Sequence, residues 1–216
     1  MRPEVLLMRM VRGLWERAEV GTWLVECYCQ VLQRKVPVQR LEHGTMDCFP
    51  HHAARNSTAK VMLAESFGIL FMVDHDMVPS PSFFRRAVGF LSEHNGPILL
   101  GSPYRTGAPN RWVEVCIEED GLASRVSCKE AAQLRGIKEV AGVGTGLVAI
   151  NRAAFELVEP PYFDFEFTDA SKEVIAWGED HHFCRKLIAA GGKVMCDWES
   201  WSGHAKIEVV EKPDIE

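Results

Sequence analysis

The sequence predicts an α/β fold, a central and mostly parallel β-sheet flanked by helices. Three observations point there. Ile69-Leu70-Phe71-Met72-Val73, preceded by Gly68, is an unbroken apolar run of strand length, the pattern of a strand buried on both faces. Ile98-Leu99-Leu100-Gly101 repeats that pattern, and segments of helical periodicity lie between and beyond the two. The first run ends in Asp74-His75-Asp76, which sets two carboxylates at the end of a strand, where open α/β sheets bind their ligands. Alternate residues of an extended segment share a side, so both aspartates can address one ligand. A solvated turn is the plainer alternative for an isolated triplet of this kind.

Taken in order, Leu7, Met10, Val11, Leu14 and Ala18 follow Pro3 at helical spacing and predict a helix over 3–19. Val20, Trp23, Leu24, Cys27, Tyr28 and Val31 predict a second helix ending near Arg34. Val36, Val38 and Leu41 suggest a strand running towards His43-Gly44. A helix then starts near Ala53, buries Ala59, Met62, Leu63 and Phe67, and ends at Gly68, which puts Arg55 and Asn56 in its first turn. After the aspartates, Ser80 and Pro81 form a helix start, with Phe84, Ala87, Val88 and Leu91 facing the core.

The stretch 102–136 is irregular apart from a strand over 113–117. Gly142-Val143-Gly144-Thr145-Gly146 precedes the apolar strand 147–150. It is not a dinucleotide fingerprint, because the spacing is wrong and no helix opens at the last glycine. Glycines there permit either a close approach to a bound group or a tight turn. Asn151 caps a short helix. Gly178-Glu179-Asp180 opens another, with Phe183, Leu187, Cys184 and Ile188 as its buried face, and Gly191-Gly192 closes it. Lys193 to Cys196 is a last strand, leading to Gly203-His204 and a solvated tail.

Composition narrows the functions. With 216 residues, 47% hydrophobic and 25% charged, the chain can bury a substantial core, and a net charge of −6 argues against a nucleic-acid surface. The seven cysteines include no Cys-x-x-Cys pair and read as buried thiols of a reducing compartment. No signal peptide and no apolar run long enough to span a bilayer is recognisable, so a cytoplasmic protein is expected. His51-His52 and His181-His182 are adjacent pairs and no His-Glu-x-x-His occurs, which ranks a zinc hydrolase low.

Four separated pieces, Ala54-Arg55-Asn56, Val73-Asp74-His75-Asp76, Gly178-Glu179-Asp180 and Gly203-His204, together resemble the GT-A fold glycosyltransferases, a Rossmann-like class, especially compact phage and bacterial members. The resemblance covers roughly residues 36–205. It implies a single domain over 1–205 with a tail at 206–216. The activity it implies is transfer of a sugar, with a hexose expected, from a nucleoside diphosphate sugar, UDP-linked by preference, to a hydroxyl acceptor on a glycan, a protein or a modified nucleic acid. Mn²⁺ or Mg²⁺ would be held by Asp76, Asp74 and His204, and an imidazole ligand tilts the choice towards Mn²⁺.

Asp180 resembles the general base of this family, with Glu179 orienting the acceptor or sharing that role. Arg55, Asn56 and Asp74 would lie beside the nucleotide, Gly144, Thr145 and Gly146 would line the sugar pocket, and Trp177 could stack on a sugar ring. The location implied is the cytoplasm, of a host if the gene is phage-borne. The alternative is a non-catalytic domain that binds sugars or nucleotides. One departure stands out: family members begin with a strand and a base-holding loop, whereas this chain reads as starting at the first helix. Loss of that strand would weaken nucleotide binding.

Overall fold

The computed structural model describes residues 2–12, 17–47, 49–105, 112–119, 122–168 and 171–205. The expected tail at 206–216 lies outside them. The first element corrects the sequence reading. Where helical spacing predicts a helix over 3–19, the chain forms a strand, β1 (Glu4–Val11), and the helix α1 (Ala18–Leu32) follows. Val5, Leu6, Leu7 and Met8 are consecutive and all buried. A helix would bury one stripe of such a run and leave the rest in water, whereas a strand with neighbours on both sides buries all of it. The first strand that the sequence reading found lacking is thus present, between two parallel partners.

β2 (Arg40–Asp47) pairs with one side of β1, and α2 (His51–Ala64) leads into β3 (Ile69–Asp74), which pairs with the other. After β4 (Met77–Val78), α3 (Phe83–Glu93) and β5 (Ile98–Gly101) come β6 (Trp112–Glu119), β7 (Leu122–Ser127), the single turn α4 (Cys128–Ala131), β8 (Ile137–Glu139) and β9 (Gly142–Val143). β10 (Leu147–Asn151) and α5 (Arg152–Leu157) precede the hairpin of β11 (Glu166–Phe167) and β12 (Ile175–Trp177). α6 (Glu179–Ala189), β13 (Lys193–Asp197) and β14 (Gly203–His204) complete the order.

The main sheet has seven strands in the order β2-β1-β3-β10-β5-β13-β8. β2, β1, β3, β5 and β13 run one way, while β10 and β8 run against them. The alternation of side chains along β1, β3 and β10 separates two cores. Leu6, Met8, Leu70, Met72, Val148 and Ile150 pack with Met62 of α2, Phe155 of α5 and Phe183 of α6. Val5, Leu7, Ile69, Phe71, Leu147 and Ala149 pack with Trp23 of α1 and Phe83, Phe84 and Ala87 of α3. Period-two strands covered by helices on both faces make this a mixed α/β fold of Rossmann-like form.

Smaller shifts have local causes. β2 starts at Arg40 and not at Val36, although Val36 and Val38 are still buried. α2 begins at His51, so Arg55 and Asn56 fall in its second turn. α3 begins after Ser82; the Ser80 hydroxyl hydrogen-bonds that of Ser82 instead of capping the helix. On α6 it is His181, not Ile188, that joins Phe183, Cys184 and Leu187 on the buried face, and Ile188 is exposed. Asn151 caps α5 as expected, accepting from the Ala154 amide.

Candidate active site

At the carboxyl ends of β1 and β3 lies an open cavity of about 370 Å³, lined among others by Arg55, Asp74, Asp76, Thr145, Gly146, Glu179, Asp180 and His204. These residues come from α2, the β3–β4 turn, the segment between β9 and β10, the start of α6, and β14. Four acids and a buried cation therefore meet where the sheet presents its ligand-binding end.

Arg55 is buried and holds two of the acids. Its Nη2 donates to both Asp74 oxygens, at 3.1 and 2.9 Å, and its Nη1 donates to Glu179 Oε1 at 2.6 Å. Burial pushes the Asp74 carboxyl upward and the Arg55 guanidinium pulls it back. The guanidinium itself is held protonated against its own burial by Asp74 and Glu179. Arg55 and Asp74, both expected beside the nucleotide, are thus paired with each other in the cavity wall. Asn56 is engaged elsewhere: its amide nitrogen donates to the carbonyls of His52 and Phe163, and its oxygen accepts from the amides of Tyr162 and Phe163. It latches α2 to the segment after α5 and does not line the cavity.

Asp76 lies in the turn between β3 and β4, and β14 pairs with β4 so that His204 stands opposite Met77. His204 Nε2 meets Asp76 Oδ2 at 3.0 Å. The Ala205 amide also donates to the Asp76 carbonyl, which ties the two strand ends together. Carboxylate oxygen and imidazole nitrogen converging from separate strands are donors that Mn²⁺ accepts. Among the described residues no group of three His, Cys, Asp or Glu side chains forms a complete cage. A cation held here would draw its remaining ligands from what it binds. Asp74 contributes less readily to such a site, since Arg55 contacts both of its oxygens. Thr145 Oγ1 and His204 Nδ1 are buried without a hydrogen-bond partner, so the site has unused polar capacity.

The glycines have a reason that the sequence did not show. A Cβ on Gly144 would collide with the Tyr104 hydroxyl, and one on Gly146 would come within 2.8 Å of Met77 Sδ and 3.0 Å of the Tyr104 ring. Tyr104 is buried, packs edge-on to His204 at 5.1 Å, and forms part of the cavity wall. Gly144 and Gly146 leave the room in which this tyrosine packs against His204. Of the expected sugar-pocket residues, Thr145 and Gly146 line the cavity and Gly144 does not.

Trp177 is elsewhere too. It lines a second cavity of about 610 Å³ with Cys116, Glu118, His181 and Arg185, and the Arg185 guanidinium lies over its ring at 5.0 Å. His181 lines this larger cavity, its Nε2 at 3.3 Å from Glu114 Oε1. Burial alone would push this imidazole down. Hydrogen bonding with Cys116 and Glu114 and the nearby charge of Asp180 outweigh burial and push it up to about 10. A group whose pKa rises on folding stabilises fully below its unfolded value of 6.5, and that contribution is lost as pH climbs towards 10. Denaturant midpoints of the parent are therefore expected to fall between those limits relative to a His181→Gln variant, and parallel curves would refute the buried imidazolium.

Arg12, His51, His75 and Tyr104 also line the smaller cavity and were not foreseen. Arg12 follows β1 and was hidden by reading that stretch as helix. Tyr104 follows β5, and the strand-end rule that singled out Asp74 could have found it. His51 opens α2, which has neither a side-chain cap nor an acid in its first turn.

The sheet order, with helices on both faces, gives a mixed α/β fold with its cavity at the strand ends. No family model and no curated protein matches the sequence. Solved structures do. The A197 protein from STIV is similar with a TM-score of 0.62 and 16% identity, over 96% of this chain and 87% of that one. GalNAc-T7, solved with UDP, GalNAc and Mn²⁺, gives a TM-score of 0.52 and 14% identity over 94% of this chain and 44% of its own. The inositol-1-phosphate CTP transferase from T. maritima gives 0.46 and 12%, over 94% and 89%. At these identities the likeness is one of fold. The chain spans less than half the length of GalNAc-T7.

Proposed function

We propose that this chain is a metal-dependent glycosyltransferase that moves a sugar from a nucleoside diphosphate sugar, UDP-linked by preference, to a hydroxyl acceptor. The observation that carries the reading is the meeting of Asp76, His204, Glu179 and Asp180 in one cavity at the carboxyl ends of the strands. The fold shared with GalNAc-T7, whose structure holds UDP and Mn²⁺, supports it. Asp76 and His204 are the residues to hold the cation, with Asp74 behind them. Mn²⁺ or Mg²⁺, when bound, would neutralise charge developing on a diphosphate leaving group.

The chain's own residues supply the rest. Asp180 Oδ1 accepts from the His181 amide at 2.7 Å, which fixes the carboxylate at the helix start and leaves Oδ2 to take a proton. That proton comes from the acceptor hydroxyl as its oxygen bonds to the anomeric carbon and the bond from that carbon to the diphosphate breaks. Glu179, held by Arg55, borders the same space and orients the acceptor. Arg12, exposed on the rim beside the uncapped start of α2, places positive charge where phosphate oxygens would lie, and the His51 ring borders the same place.

Residues 1–205 are the unit we assign to this activity. The acceptor, whether glycan, protein or modified nucleic acid, would approach past α6 from the larger cavity. Among the described residues no helix is long and apolar enough to cross a membrane; a cytoplasmic setting, the host's if phage-encoded, is part of the proposal. The test is nucleoside diphosphate release from a panel of sugar nucleotides with Mn²⁺. The parent is expected to turn over and Asp76→Ala to be inactive. Equal release by both overturns the metal assignment, and saturable donor binding with no turnover on any acceptor replaces the enzyme with a binding domain.

A further inference from the structure

The segment between β13 and β14 carries His204 into the site, yet it has almost no regular structure of its own. β14 is two residues long and pairs only with the two-residue β4, at Gly203 with Val78 and His204 with Met77. So short a ladder cannot by itself hold an imidazole against Asp76. What lies beneath the segment is unusual for a core. Asp197, Ser200, Ser102, Ser80 and Ser202 are all buried.

These side chains form one connected network. The Ser102 hydroxyl donates to the Ser200 carbonyl at 2.5 Å and lies 2.7 Å from the Ser202 hydroxyl. Ser202 Oγ accepts from the Ser80 amide at 3.0 Å, Ser80 contacts Ser82 at 3.1 Å, and Ser82 reaches back to Ser200 at 2.9 Å. The Ser200 hydroxyl donates to Asp197 Oδ2 at 2.7 Å, and Arg86 closes the far side with bonds of 2.6 and 2.8 Å to both Asp197 oxygens. The Ser202 amide donates to the Pro103 carbonyl at 3.0 Å.

Three strand ends are joined in this way. Ser80 and Ser82 follow β4, Ser102 follows β5, and Ser200 and Ser202 precede β14. Apolar packing could fill the same volume but would leave the segment free to slide, because dispersion and burial are not directional. Hydrogen bonds fix both distance and direction, and a fully satisfied buried network specifies one arrangement. The network ends two residues from His204 on one strand and on the flank of the Asp76 turn on the other. Tyr104, two residues beyond Ser102, packs on the His204 ring.

We infer that this serine network is the positioning device for His204, and that it sets the affinity of the Asp76–His204 pair for a divalent cation. The inference rests on the metal-dependent reading above. Groups that orient metal ligands without touching the metal typically change affinity by about 10–100-fold when removed. Ser102→Ala and Ser202→Ala each remove a hydroxyl without touching Asp76 or His204.

The experiment measures Mn²⁺ binding directly, from the free-ion electron paramagnetic resonance signal, together with melting temperature. It compares the parent, Ser102→Ala, Ser202→Ala, Asp76→Ala and Ser92→Ala. Ser92 lies exposed on α3 and donates to the Val88 carbonyl, outside the network, so its variant reports the loss of a serine hydroxyl elsewhere in the fold. Mn²⁺ affinity is expected to fall by about tenfold in Ser102→Ala and Ser202→Ala and to stay at the parent value in Ser92→Ala. Should the buried variants fail to fold, Ser82→Ala cuts two links at a half-buried position and must weaken Mn²⁺ binding in the same direction. Parent-like Mn²⁺ affinity in the folded serine variants, with affinity lost in Asp76→Ala, overturns the positioning role alone, whatever the melting temperatures. A parent that binds no Mn²⁺ overturns the metal reading itself.

Discussion

Arg55→Met is expected to destabilise the protein by about 3–5 kcal/mol, the loss typical when one partner of a buried ion pair is removed. The reason is the company it leaves. Asp74 and Glu179 have side-chain exposures of 17% and 16%, too little for water to replace the guanidinium. Asp76 also raises the carboxyl of Asp74, so the cluster without Arg55 is an excess of negative charge in a half-closed space. Methionine fills much of the arginine stem, so the deficit would be electrostatic and not a cavity. Chemical denaturation at neutral pH and again in acid separates the two. If charge is the cause, the variant recovers part of its stability as the acids protonate. A constant deficit at every pH would assign Arg55 to packing, and no deficit at all would remove it as the keystone of the acid cluster.

This arginine also shows where sequence reading stops. Its position before the strand with the aspartates was legible, because strand ends and helix starts follow from local pattern; that Asp74, Asp76, Glu179, Asp180 and His204 share one cavity was implied only by the family resemblance. The arginine's partners were not legible. Nothing in the order of residues says that a cation near a carboxylate will be buried against it and not offered to a ligand. Asn56 and Trp177 illustrate the same limit: both stand next to site residues in sequence, yet one bonds the backbone after α5 and the other faces a different cavity.

β1 was misread for a different reason. Val5 to Val11 satisfies a helical stripe and a strand-length run that is apolar but for Arg9, and only its two sheet neighbours decide between them. With β1 restored, the strand whose absence cast doubt on nucleotide binding is in place, and Arg12 enters the cavity wall. The glycines at 144 and 146 read in the sequence as room for a bound group or as a tight turn, and neither reading names a side chain of the protein itself. What approaches, the Tyr104 ring, is set by tertiary contact and not by local sequence.

Asp180→Asn is expected to lower the turnover of the proposed transferase by about 10²–10⁴-fold, the range for loss of a positioned general base. The substitution isolates that role. Asparagine keeps an oxygen to accept from the His181 amide, so the start of α6 and its melting temperature should be retained. It leaves Asp76 and His204 in place, so Mn²⁺ binding and donor affinity should also persist. Only the capacity to take a proton from the acceptor is removed, and the loss should therefore appear in kcat more than in the KM for donor. Glu179→Gln is the informative companion. Arg55 already contacts Glu179 Oε1 at 2.6 Å, and a carboxylate held by a guanidinium is a poorer proton acceptor than one facing the cavity. Its effect on kcat should be the smaller of the two. The reverse order would move the base to Glu179 and leave Asp180 only its bond from the His181 amide. Turnover within tenfold of the parent for both variants would leave the reaction without an enzymic base.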